Sequence, residues 1–245
     1  MRLLEKRRTS NVSDSGHVRP IADRITRTKR NFWQKWTKAA YLLTLYFIIL
    51  QRSILLFDTM AATPSTMIPL GTPAPDFTLP EVVYGKPISL EDVRGEKATV
   101  IMFICNHCPY VLHVNAEIVR LANDYTPHGC SFVAISSNDV ELYPDDAPDK
   151  MKYHALEYDY PFPYCYDETQ DVARAYKAAC TPDFFVFDAD LRCVYRGQFD
   201  DARPGNDISP SGNDVRAALD ALLRGEAVSQ EQKPSIGCNI KWKKS

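Results

Sequence analysis

Cys105-Asn106-His107-Cys108 follows directly on the apolar run Ala98-Thr99-Val100-Ile101-Met102-Phe103-Ile104. The run is rich in β-branched and aromatic side chains, which predicts a buried strand. Beyond Cys108, apolar residues recur at Val111, Val114, Ile118, Leu121 and Ala122, the spacing of one helical face. Two thiols thus sit where a strand gives way to a helix, and together they can close into a disulfide. Unpaired N–H groups at a helix N-terminus favour thiolate over thiol. A zinc site needs two more ligands at matching spacing, and the chain has no second Cys-x-x-Cys. No metal and no cofactor are expected. An inert buried pair is the bland alternative, set aside because strand–Cys-x-x-Cys–helix is a redox arrangement.

The composition is that of an ordinary globular protein, 45% hydrophobic and 24% charged, and the net charge of −2 gives no reason to invoke nucleic acid. Charge is uneven, however. Residues 1–60 form a basic N-terminal extension, with Arg2, Lys6, Arg7, Arg8, Arg19, Arg24, Arg27, Lys29, Arg30, Lys35 and Lys38, while the remainder is acidic. Seven cysteines cannot all pair within one chain. Cys130, Cys165 and Cys193 lie in apolar, strand-like segments and read as small buried hydrophobes.

The extension admits three readings. Residues 39–57 are apolar apart from Thr44 and the break Gln51-Arg52-Ser53, and are long enough for a membrane anchor, which needs roughly 20 residues. Arg52 opposes insertion by about 2.5–3.5 kcal/mol if central, and by less near an end. Trp33, Trp36 and Tyr41 would supply an aromatic belt. The basic flank would stay cytoplasmic, giving a single-pass protein with its C-terminal domain on the trans side. The second reading is a transit peptide, rich in Arg, Ser and Thr. The third is a start at Met60, with a soluble cytoplasmic or organellar protein if residues 1–59 are cleaved or not translated.

From Pro69 onward the elements alternate. Strands are expected at Asp76–Leu79, Ala98–Ile104, Cys130–Ser136 and Tyr164–Asp167, and a hairpin at Asp183–Asp188 and Arg192–Gly197. Helices are expected at Pro109–Asp124, from Asp146-Ala147-Pro148 to about Tyr158, and at Gln170–Lys177. Ser211-Gly212-Asn213-Asp214 has capping-box spacing and opens a helix with apolar Val215, Leu219, Leu222 and Leu223, ending at Gly225. The pattern is α/β with a mixed sheet.

The motifs, in this order, resemble the thioredoxin-like superfamily, in its peroxiredoxin-like branch related to alkyl hydroperoxide reductase and thiol-specific antioxidant proteins. Gly71-Thr72-Pro73-Ala74-Pro75-Asp76-Phe77-Thr78-Leu79 is similar to that branch's opening strand. Cys105-Asn106-His107-Cys108-Pro109 stands at the active-site position, and Ala179-Cys180-Thr181-Pro182-Asp183 resembles the cis-proline loop. Ser235–Trp242 is similar to the tail of a peroxiredoxin-like subgroup. The resemblance implies a thioredoxin-like domain over residues 67–230, a central mixed sheet flanked by helices, and a C-terminal tail at 231–245.

It also implies roles. Cys105 would attack a partner disulfide and Cys108 would resolve the mixed disulfide. His107, if cationic, would stabilise a nearby thiolate. Thr181 and Pro182 would bind substrate, the cis peptide turning backbone groups toward the cysteines where a substrate chain can pair. Cys180 and Cys238 are candidate auxiliary thiols. Three departures stand out. Ile104 replaces the Trp that precedes the first Cys in thioredoxins. Thr99 replaces their buried Asp. Cys105 stands where peroxiredoxins carry Thr, although Cys108-Pro109 resembles their peroxidatic pair.

Thiol–disulfide exchange with protein disulfides, supported by a recycling thiol reductant, is therefore the leading expectation. The alternatives are a thiol peroxidase acting through Cys108 and a non-catalytic thioredoxin-fold binding module, against which the intact dithiol argues.

Overall fold

A computed structural model describes residues 62–244. In chain order the strands and helices are β1 (Ala62–Pro64), β2 (Thr78–Pro80), β3 (Pro87–Ser89), β4 (Ala98–Phe103), α1 (Pro109–Tyr125), β5 (Cys130–Ser136), α2 (Pro148–Glu157) and β6 (Tyr164–Tyr166). They continue with α3 (Asp171–Ala175), β7 (Cys180–Thr181), β8 (Asp183–Asp188), β9 (Cys193–Gly197), α4 (Asn213–Arg224) and β10 (Ile236–Asn239).

The main sheet has strand order β6-β5-β4-β8-β9. β4 runs parallel to β5, from Ala98 opposite Cys130 to Phe103 opposite Ile135, and antiparallel to β8. Every residue of β4 is buried. A strand covered on both faces has no solvent side on which to place polar residues, so its sequence is a continuous apolar run. Val100, Met102 and Ile104 pack with Val111 and Ile118 of α1 and with Val215 and Leu219 of α4. Ile101 and Phe103 face the opposite layer with Tyr176, Phe185 and Phe187. The fold is thioredoxin-like.

Two details depart from the sequence expectation. No side chain caps α4 from within the Ser211–Asp214 motif. Instead Asp200 reaches across, its Oδ2 accepting the N–H groups of Ser211 at 2.6 Å and Gly212 at 2.7 Å. Gly212 has φ +65°, and the Phe199 ring lies over its Cα, so both backbone and space demand glycine. The tail, in turn, is sheet: β10 is the middle strand of β1-β10-β7, with Cys238 opposite both Ala62 and Thr181.

This close approach explains Gly237. A Cβ there would fall inside contact distance of the Thr181 carbonyl. Gly237→Ala is expected to destabilise the protein by about 1–3 kcal/mol, the usual cost of overpacking, measurable by urea denaturation.

The expected membrane placement is corrected. No helix among the described residues is long and apolar enough to cross a membrane. The segment on which a transmembrane helix and a trans-side domain rested, residues 39–57, lies outside the described residues.

Candidate active site

Hydrogen bonding continues past the end of β4, where the Ile104 N–H donates to Ile135 O at 3.0 Å. This delivers Cys105 just past the C-terminal end of the sheet's central strand. The chain turns through Asn106 and His107, and Cys108 becomes the N-cap of α1, with extended backbone (φ −70°, ψ 120°) and Pro109 in the first turn. Proline suits that position because its missing N–H would have had no helical partner.

The turn between the thiols is held by Asp146, which is fully buried. Its Oδ1 accepts the Asn106 N–H at 2.8 Å, and its Oδ2 accepts from Asn138 Nδ2 at 2.7 Å. His107 Nδ1 lies 2.7 Å from the same Oδ2. Asn106 is fixed further by donating to Asp145 O at 2.8 Å and accepting from the Tyr164 hydroxyl at 3.1 Å. Tyr143 stacks on the His107 ring, with 6° between the planes. Asp146 had been legible in sequence only as part of a helix start. Its function as a brace depends on the loop after β5 folding over the dithiol.

The Thr181-Pro182 peptide is cis. Thr181 meets both cysteines: its Oγ1 is 3.4 Å from Cys105 Sγ, and its carbonyl oxygen is 3.1 Å from Cys108 Sγ. Cys238 Sγ lies 2.8 Å from Cys108 Sγ. The strand pairing at Thr181, where a substrate chain was expected, is made here by the protein's own β10. Cys180 points elsewhere, its sulfur 3.7 Å from Pro182 O, and burial pushes its pKa far up. Thr99, in place of the thioredoxin Asp, is structural: its Oγ1 accepts the Gly95 N–H at 3.0 Å.

The thiols are electrostatically unequal. Burial opposes ionisation of Cys108, but its contacts with Cys105, Cys238, Thr181 and the Val111 N–H outweigh it and shift its pKa below the usual thiol range. Cys105 is shifted the opposite way, by its hydrogen bond to Cys108, by burial and by the nearby Asp146 charge. The lowered pKa belongs to the N-cap cysteine, beside the helix N–H groups. Elsewhere burial lifts Cys130 to about 11, Cys165 to about 12 and Cys193 to about 11, leaving them protonated at neutral pH.

The pKa of His107 is raised above the ordinary 6.5 by its contact with Asp146, against a smaller opposing effect of burial. A cation stabilised in the folded state contributes stability that is complete below pH 6.5 and lost as pH rises through the raised value. Asp146→Asn removes the charge that holds the proton. The His107 titration, followed by its imidazole NMR signals, is expected to move down, because the largest cause of its raised pKa is then gone. A titration unchanged from wild type would contradict this origin.

Ligand atoms of Cys105, His107 and Asp146 lie within 4.8 Å of one another, close enough to converge on one ion. They supply three of the four ligands of a tetrahedral site, and Asp146 would have to loosen its bonds to Asn106 and Asn138 to serve.

The AhpC/TSA family model matches residues 70–196. The chain belongs to that family. It is similar to the crystal structure of an uncharacterized conserved protein from Geobacillus kaustophilus, with 64% identity, TM-score 0.75, and coverage of 76% of this chain and 98% of that one. It is also similar to a hypothetical protein from Sinorhizobium meliloti 1021, with 46% identity, TM-score 0.73, and coverage of 75% and 100% respectively. No curated protein sequence matches it. This AhpC/TSA family member is thus thioredoxin-like and peroxiredoxin-related.

Proposed function

We propose that Cys105 and Cys108 exchange electrons with protein disulfides as a dithiol couple, recycled by a thiol reductant. One observation carries this reading: both sulfurs converge on Thr181 of the cis-proline loop at the mouth of α1. Cys105 Sγ loses its proton to solvent and attacks one sulfur of the partner disulfide, and the second partner sulfur leaves as thiolate and takes up a proton from solvent. Cys108 then attacks Cys105 Sγ, closing the intramolecular disulfide and expelling the other partner thiolate. Two electrons move to the partner and two sulfurs of the protein are oxidised.

A second reading is favoured by the lowered pKa of Cys108 and its place as N-cap of α1. Cys108 as thiolate, followed by Pro109, suits attack on a hydroperoxide. The terminal oxygen would transfer to sulfur as sulfenic acid while alcohol or water leaves, and Cys105 would then condense with it to release water.

Rates of reaction with a reducible protein disulfide and with hydrogen peroxide, combined with mass mapping of the products, separate the two. The first reading expects Cys105–Cys108 disulfide formation to be fast with protein disulfide and slow with peroxide. Fast peroxide consumption, with sulfenic acid trapped on Cys108 in Cys105→Ser, would reverse the order.

A further inference from the structure

Cys238 was legible in sequence only as an extra thiol in a tail. In the fold it lies among the buried residues around the site. Both flanks of its strand are clamped. Upstream, the Ser235 hydroxyl donates to Pro182 O at 2.5 Å and Ser235 O accepts the Ser65 N–H at 2.8 Å. Downstream, the Lys241 N–H donates to Asn138 Oδ1 and Lys241 O accepts from Gln170 Nε2, each at 2.8 Å. Between these anchors β10 pairs with β7 in register, Cys238 opposite Thr181 and Asn239 opposite Cys180. The tail thus occupies the strand edge that a partner peptide would take, and it brings a sulfur to 2.8 Å from Cys108 Sγ.

We infer that Cys238 is a third exchange thiol and that β10 acts as a built-in substrate strand. The inference deepens the dithiol reading and rests on it. After the active pair has passed two electrons to a partner disulfide and closed, the Cys238 sulfur, giving up its proton, attacks Cys108 Sγ. The Cys105–Cys108 bond breaks, Cys105 leaves with the electron pair and takes up a proton, and a Cys108–Cys238 disulfide forms. No electrons are gained or lost in this step, so it needs no oxidant beyond the partner disulfide already consumed. The oxidised protein is then shared between two linkages. One of them ties the C-terminal strand to the helix N-cap and returns Cys105 to the thiol form.

The reaction of the reduced full chain with one equivalent of a small aromatic disulfide, quenched in acid, alkylated and mapped by mass spectrometry, tests this without any substitution. Cys105–Cys108 and Cys108–Cys238 peptides are both expected. Cys105→Ser provides a second readout, because Cys108 and Cys238 alone should release two aromatic thiols per chain and end as a Cys108–Cys238 disulfide. A wild-type map containing only Cys105–Cys108, with Cys105→Ser stalled as a mixed disulfide after one released thiol, would overturn the third thiol while leaving the dithiol reading intact. A wild-type chain that forms no internal disulfide would overturn both.

Discussion

Cys105→Ser is expected to lower turnover of protein disulfide reduction by at least about a thousandfold, the scale on which loss of a covalent nucleophile shows. Cys108→Ser should be equally inactive for a different reason. It loses the sulfur that resolves the mixed disulfide. It should therefore react once and retain its partner. The contrast is visible on a non-reducing gel as a covalent adduct with Cys108→Ser that dithiothreitol releases. The roles rest on the position of the two sulfurs, both brought to Thr181 of the cis-proline loop. Equal, undiminished reductase activity in both variants would defeat the assignment.

The second large effect lies behind the cis-proline loop. Arg196 and Asp183 form an ion pair at 2.9 Å, and both side chains are fully buried. Arg196 also donates to Lys177 O at 3.0 Å and lies over the Phe185 ring at 4.7 Å. Asp183 directly follows Pro182, and its Oδ2 accepts the Ala179 N–H at 3.3 Å, so the pair clamps the loop that carries Thr181. Removing one partner of such a pair leaves an uncompensated charge, and Arg196→Met is expected to cost about 3–5 kcal/mol. Asp183→Asn/Arg196→Met should recover much of this loss, because neither charge then remains buried.

The pH dependence has a defined sign. Burial lifts the Asp183 pKa from 3.8 to about 6, with Arg196 opposing. The folded state thus holds a proton that the unfolded state has already released. The contribution of this group to stability falls as pH rises from about 3.8 through about 6, then levels off. Without Arg196 the carboxyl holds its proton to higher pH, and acid compensates the lost cation. Denaturant melts should show Arg196→Met more damaging at pH 7.5 than at pH 5. A pH-independent loss would mean that Asp183 does not titrate in this window.

The strand–dithiol–helix junction was legible because its information is local. β4 is covered on both faces and so is apolar at every position but Thr99, and α1 advertises itself by the spacing from Val111 to Ala122 and by Pro109. The same holds for β5, whose expected span Cys130–Ser136 is the span observed, and for the β8–β9 hairpin. The Thr181-Pro182 loop was found through its motif. Capping of α4 was misread because the carboxylate that fixes the chain entering it, at the N–H groups of Ser211 and Gly212, comes from Asp200, outside the local motif.

The strand-to-helix placement of Cys105 and Cys108, and the alternation of elements that makes the domain α/β, follow from the sequence alone, because periodicity and turn chemistry act over a few neighbours. Tertiary structure decided the rest. It brought Asp146 under His107 and set the two thiols apart in acidity. It also carried Cys238 across 130 positions of chain to Cys108. Those outcomes depend on which surfaces pack together and on the hydrogen bonds left once water is excluded, and no local pattern of residues encodes either.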